Sequence, residues 1–211
     1  MRKFALGAVA ALGLAVAAPA VAQAPTVNLS ISRVGGGPQG NTTTVQYAEL
    51  VRLSGEITNG QPNQPVELTV TPYRGESRVI SLRTDSSGDF TWTHRPTIRT
   101  GYTARVNGQA SNQEPLAHVR PKVGLRVISA QRGLFRVTLM AQPRHVSRVV
   151  TFQRRLRNGQ WAKVKRVQLR ALNLSASFSA RLPRGVNRVR IAVPQTPGYL
   201  GATSAHVRVV R

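Results

Sequence analysis

The sequence predicts an all-β chain made of two tandem antiparallel β-sandwiches behind an export signal, and three observations carry that expectation. From Val27 onward, apolar residues alternate with polar ones at a period of two, the pattern of strands with one buried face. Turn residues break the alternation every eight to twelve positions or so, as in sandwiches and barrels. Landmarks of the first half of the 211-residue chain recur in the second. Helical periodicity is absent throughout.

The first segment, residues 1–22, reads as a signal peptide. Arg2 and Lys3 form its charged start, Phe4 to Ala18 is an apolar run, and Ala20-Val21-Ala22 supplies the small residues before a cleavage expected ahead of Gln23. The run is short, rich in alanine and interrupted by Pro19, which argues against an uncleaved anchor. The mature protein is expected outside the cytoplasm, extracellular, periplasmic or associated with the cell envelope. It has no cysteine, so it has no disulfide, thiol catalyst or cysteine zinc site.

The first domain is expected over residues 26–119. Val27, Leu29 and Ile31 alternate with Asn28, Ser30 and Ser32 before the loop Gly35 to Gly40. Val51 and Leu53 lead to Gly55, and Asn59-Gly60 marks a turn. Val66, Leu68 and Val70 form the next strand, then Val79 and Leu82. Asp85 to Asp89 reads as an Asx-type turn into Phe90-Thr91-Trp92, and Tyr102, Ala104 and Val106 alternate after it.

The second domain, residues 120–211, repeats this plan. Ala117-His118-Val119-Arg120 returns as Ala205-His206-Val207-Arg208, Phe90 falls on Phe178 at the same offset, and Val66/Leu68 match Val150/Phe152 after a small drift. Landmarks along one diagonal point to duplication. Arg120-Pro121-Lys122 is too short a joint for a flexible linker, so the domains should abut. Within the second domain Phe135, Val137 and Leu139 alternate, Asn158-Gly159 signals a hairpin, and the spacing of Val164, Val167 and Leu169 predicts a bulge near Lys165-Arg166. Phe178, Ala180 and Leu182, then Val189, Ile191 and Val193, complete the core face.

The run Leu53-Ser54-Gly55-Glu56-Ile57, then Gln64 to Leu68, Thr84-Asp85, Gly88-Asp89-Phe90, Pro96 and Tyr102 resembles the bacterial immunoglobulin-like and fibronectin type III-like tandem repeats of secreted proteins. Val150 to Arg154 with Gly159-Gln160-Trp161 is similar to a hairpin of those repeats, and Val119-Arg120-Pro121 resembles their joint. The resemblance implies a sandwich used for spacing, display or binding. It lacks the cysteine pair of antibody domains and leaves Tyr102 as the candidate tyrosine-corner residue.

Charge separates the two halves. The chain carries 30 basic and 7 acidic residues. All seven acids precede the joint, where the eight basic residues between Gln23 and Val119 nearly balance them; from Arg120 onward there are twenty basic residues and no acid. Such a field gathers polyanions and makes their binding salt-dependent. The expected anion contacts are Arg154, Arg155, Arg157, Lys163, Lys165 and Arg166 of one hairpin, with Arg188 and Arg190. Arg155, Arg157, Lys163, Lys165, Arg188 and Arg190 read as outward, and Arg154 as inward by parity. Arginine suits the role because its planar fork grips phosphate or carboxylate bidentately.

Catalytic chemistry is sparse. The second domain has no carboxylate to serve as acid or base, and no nucleophile elbow, zinc-protease or phosphate-loop motif occurs. Glu67 and Glu76 are the one nearby pair open to a carbohydrate-active enzyme. No cofactor and no metal are expected. The sequence thus predicts a non-enzymatic envelope module that binds an anionic polymer or polysaccharide, or another protein of a larger extracellular assembly, with a membrane surface as a further partner. Nucleic acid is disfavoured by export and by the inward-facing Phe135, Phe152 and Phe178.

Overall fold

Alternation in sequence becomes alternation in burial. In β3 (Val51–Ile57) Val51, Leu53, Gly55 and Ile57 are buried, while Arg52 and Glu56 face solvent. The computed structural model describes residues 25–211; the expected signal peptide and its cleavage point before Gln23 lie outside the described residues. Strands and turns account for the described chain, and among the described residues no helix is long and apolar enough to cross a membrane.

The first sandwich packs the sheet β1 (Val27–Arg33), β3, β6 (Phe90–His94) against a second sheet. That second sheet runs β2 (Thr42–Gln46), β9 (Leu116–Arg120), β7 (Thr100–Val106), β4 (Pro65–Pro72), β5 (Arg78–Arg83), with the two-residue β8 (Gln109–Ala110) beside β7. Pairing is antiparallel except that β2 lies parallel to β9. Leu29, Leu53, Leu68, Phe90 and Tyr102 fill the space between the sheets. Gly55 is required there, because a Cβ would collide with the Phe90 ring.

The second sandwich repeats the arrangement. One sheet is β10 (Lys122–Ser129), β11 (Leu134–Met140), β14 (Ser175–Ser179). The other runs β13 (Trp161–Gln168), β12 (Val149–Arg155), β15 (Val186–Val193), with β16 (Ala202–Thr203) and β17 (Val207–Val210) pairing successive parts of β15. Phe90 in β6 and Phe178 in β14 hold equivalent places, as do Val66/Leu68 in β4 and Val150/Phe152 in β12. Both strand orders are those of immunoglobulin-like and fibronectin type III-like sandwiches. Phe135, Phe152 and Phe178 form the centre of the second core, with ring centroids 4.8, 5.1 and 5.6 Å apart.

The joint is bonded. Across it the Arg99 amide donates to the Gly198 carbonyl at 3.1 Å and the Leu200 amide to the Val119 carbonyl at 3.0 Å. The Tyr199 hydroxyl donates to the Thr97 carbonyl at 2.5 Å and accepts from the Gln142 amide at 2.8 Å. Burial pushes that phenol up to about 12 against the opposing hydrogen bond from Gln142. Tyr199→Phe leaves a carbonyl and an amide without their partner, so it should cost about 1–3 kcal/mol. Thermal unfolding of the variant checks this; an unchanged midpoint would show that water replaces the hydroxyl.

Tyr102 departs from the expected tyrosine corner. Its hydroxyl meets His94 Nδ1 at 2.8 Å instead of a backbone group, because β6 ends with His94 beside it and Trp92 stacks on that imidazole at 5.2 Å. Burial, then the charge of Arg78, lowers the His94 pKa from 6.5 to about 4. The fold therefore holds His94 neutral. Above pH 6.5 neither state binds the proton; as pH falls from 6.5 towards 4 the unfolded chain takes it first and stability is lost. Allowing for partial solvent screening, the loss should be roughly 1–2 kcal/mol. Urea titrations at pH 7 and 4.5 with His94→Gln as control measure it, and an equal slope in the variant would assign the loss to other groups.

Candidate anion-binding surface

Strand direction decides where the charge collects. β10 leaves the joint and each later strand reverses, so the turns β10–β11, β12–β13 and β14–β15, together with the end of β17, lie at the far end from the first sandwich. Those turns carry Arg132, Arg157, Arg181 and Arg184, and Arg211 pairs through its backbone with Gly185. The turns at the joint end carry Arg144, Arg148 and Arg170, so the twenty cations reach both ends of the domain.

The outer face of the β13-β12-β15 sheet continues this surface. Arg155 lies opposite Trp161, Gln153 lies between Lys163 and Arg190, and Arg188 pairs with Arg208. The Arg190 Nε donates to Gln153 Oε1 at 2.8 Å while its guanidinium sits 4.1 Å above the Trp161 ring, a cation–π contact that fixes the side chain. The β12–β13 turn closes through Leu156 and Gln160 (2.7 Å), with Gly159 at φ +84° as the left-handed residue. Arg155 Nε donates to the Gly159 carbonyl at 3.3 Å. Arg155, Arg157 and Arg188, with Leu156, Gly159 and Val186, line one concavity of about 400 Å³.

Of the expected contacts, Arg155, Arg157 and Arg188 thus converge, and Lys163 and Arg190 lie on the same face. Arg166 is exposed and paired with Thr151 near the other end of β13, away from the concavity. Arg154 is half-buried opposite Ala162 and Val189, in keeping with its inward parity at a strand end. Lys165 is a correction. The bulge falls at Val164, one residue earlier than the spacing predicts, so Lys165 pairs with the buried Phe152 and not on the outer face. Its Nζ reaches across the open edge to the Ser179 carbonyl at 2.9 Å; a lysine in this place protects the edge strand β13 from pairing with another chain. Arg184, Arg208 and Arg211 were not singled out by the sequence, since turns and short end strands have no alternation to read.

No acid offsets this surface. Among the described residues the one ion pair is Arg33 with Glu49 at 2.5 Å, in the first sandwich. Asp85 folds as the expected Asx turn, its Oδ1 accepting from the Ser87 amide and hydroxyl and from the Asp89 amide, and these bonds lower its pKa. Glu67 sits near the start of β4 and Glu76 in the turn beyond its end. They are on the order of 15 Å of strand apart, too far for a glycosidase carboxylate pair. Among the described residues no group of three or more His, Asp or Glu side chains is placed to hold a metal.

No protein-family model matches the chain, and no curated protein matches it. Among solved structures it is similar to a tetra-tandem repeat from the extending region of a large adhesion protein, at 18% identity and TM-score 0.42 over 88% of this chain and 50% of that one. The chain thus spans half the length of that structure. It is also similar to the D0-D1 domain of intimin, at 15% identity and TM-score 0.34 over 89% of this chain and 100% of that one. A third is a two-domain fibronectin type III segment of chicken tenascin, at 13% identity and TM-score 0.45 over 87% and 96%. The sandwich assignment stands on the strand orders themselves.

Proposed function

We propose that this is an exported, non-enzymatic module of the cell envelope whose second sandwich binds an anionic polysaccharide or similar polymer through its far end. The observation that carries the proposal is the convergence of Arg155, Arg157 and Arg188 on one concavity within a sandwich that has no Asp or Glu side chain. Guanidinium groups there have no internal acid to neutralise them, so an external anion gains contact without breaking an existing ion pair. Trp161 holds Arg190 beside these cations through its cation–π contact. The near-neutral first sandwich serves as a spacer held rigidly by the joint.

The test is titration of the chain from Gln23 onward with a sulfated polysaccharide at 50 and 200 mM salt. Affinity should fall at least about tenfold over that range, because many contacts release condensed counterions. Salt-insensitive binding would overturn the electrostatic reading, and absence of binding at 50 mM salt would reject the polymer as partner.

A further inference from the structure

At the joint end of the second sandwich the turn after β13 presents a leucine to solvent. Leu172 is 98% exposed, whereas Leu174 is buried with φ +44°. The turn is held by its own bonds: the Leu174 amide donates to the Arg170 carbonyl, the Arg170 amide to the Ser175 carbonyl, and Asn173 Oδ1 accepts from the Ser175 amide and hydroxyl. Facing it is the segment between β11 and β12. The two border a groove of about 730 Å³ in which Pro143, Ala171 and Leu172 supply apolar surface above the buried Val146, and Arg144 and Arg148 supply charge.

Two kinds of recognition meet in this groove. A purely polyanionic ligand would leave Leu172 in water, and a purely apolar ligand would strip solvent from two arginines that have no carboxylate to receive them. The volume lies within the range of small-molecule sites. We propose that the groove binds a single-chain anionic amphiphile, its head group held by Arg144 and Arg148 and its alkyl chain lying along Pro143, Ala171 and Leu172. This surface is at the opposite end of the sandwich from Arg155, Arg157 and Arg188. It is therefore a second site, independent of polymer binding.

The experiment titrates the chain from Gln23 onward, free of the apolar residues 1–22, with decyl phosphate below its micelle concentration, with inorganic phosphate, and with a neutral decyl glycoside. Decyl phosphate should bind at least about tenfold more tightly than either control, since charge and alkyl burial each contribute. Leu172→Ser should lower its affinity by about five- to tenfold. Being on an exposed turn, that substitution should leave the fold intact, which an unchanged thermal unfolding midpoint verifies in the same sample. Arg144→Gln with Arg148→Gln should lose a comparable factor. Equal affinity for decyl phosphate and inorganic phosphate would overturn the proposal, as would indifference to Leu172→Ser. Leu172-dependent binding to phosphatidylglycerol vesicles, without binding of the monomeric amphiphile, would also overturn it and assign the turn to a bilayer surface.

Discussion

Replacing Arg155, Arg157 and Arg188 together by Gln should weaken binding of the sulfated polysaccharide by roughly 30- to 100-fold at low salt. The magnitude follows from removing three charge-assisted hydrogen-bonding groups, each contributing about 0.7–0.9 kcal/mol, towards the favourable end for exposed ion pairs. Convergence is what distinguishes this set. All three line the same concavity, so one polymer segment meets them at once, and its ordering cost is offset by three arginines instead of one. Lys122, Arg126 and Arg136 are the matched control: the same charge removed, but from the outer face of the opposite sheet, where Arg126 lies directly across from Arg136. Their replacement should cost less than about threefold, as expected when only the diffuse field is reduced. The measurement is a paired titration of the two triple variants at 50 mM salt. Equal losses would leave a diffuse polycation without a site, and a single Arg155→Gln should fall between the control and the convergent triple.

The fold was largely legible because burial on one side of each strand leaves a period that composition cannot hide. Leu29, Leu53, Leu68, Phe90, Phe152 and Ile191 all stand on core faces where alternation puts them. The duplication was legible too, since equivalent strands need equivalent anchors such as Phe90 and Phe178. The separation of charge needs only counting. Lys165 shows where this reasoning ends: a bulge shifted by a single residue moves Lys165 to the other face while Val167 and Leu169 keep theirs, and nothing local to Val164-Lys165-Arg166 fixes which residue is extra. Tyr102 shows a second limit, because its partner His94 belongs to the neighbouring strand β6 and is chosen by packing between sheets. Arg184 and Arg211 show a third. Their gathering at one end follows from the parity of strand reversals, a property of the whole topology and not of their own neighbourhoods.

Phe152→Ala should be the most damaging single substitution in the second sandwich, at about 3–5 kcal/mol. Phe152 is fully buried on the central strand β12, between β13 and β15. Its ring touches Phe135 and Phe178, which stand on the facing sheet, so a cavity at this position could close only if the two sheets moved together. Backbone ladders on both sides of β12 resist that movement. Phe178, at 8% exposure on the edge strand β14, has room to relax, and Phe178→Ala should cost visibly less. Each sandwich contains one tryptophan, Trp92 in β6 and Trp161 in β13. Urea unfolding followed by fluorescence in a Trp92→Phe background therefore reads the second sandwich, and in a Trp161→Phe background the first. In the former, Phe152→Ala should lower the midpoint by roughly 2 M urea. In the latter the shift should be no larger than the joint contributes, about the 1–3 kcal/mol assigned to Tyr199. A shift below about 1 kcal/mol at Trp161 would mean that the phenylalanine triad is not the centre of this core. Equal large shifts at both probes would instead make the bonded joint strong enough to fuse two sandwiches into one cooperative unit.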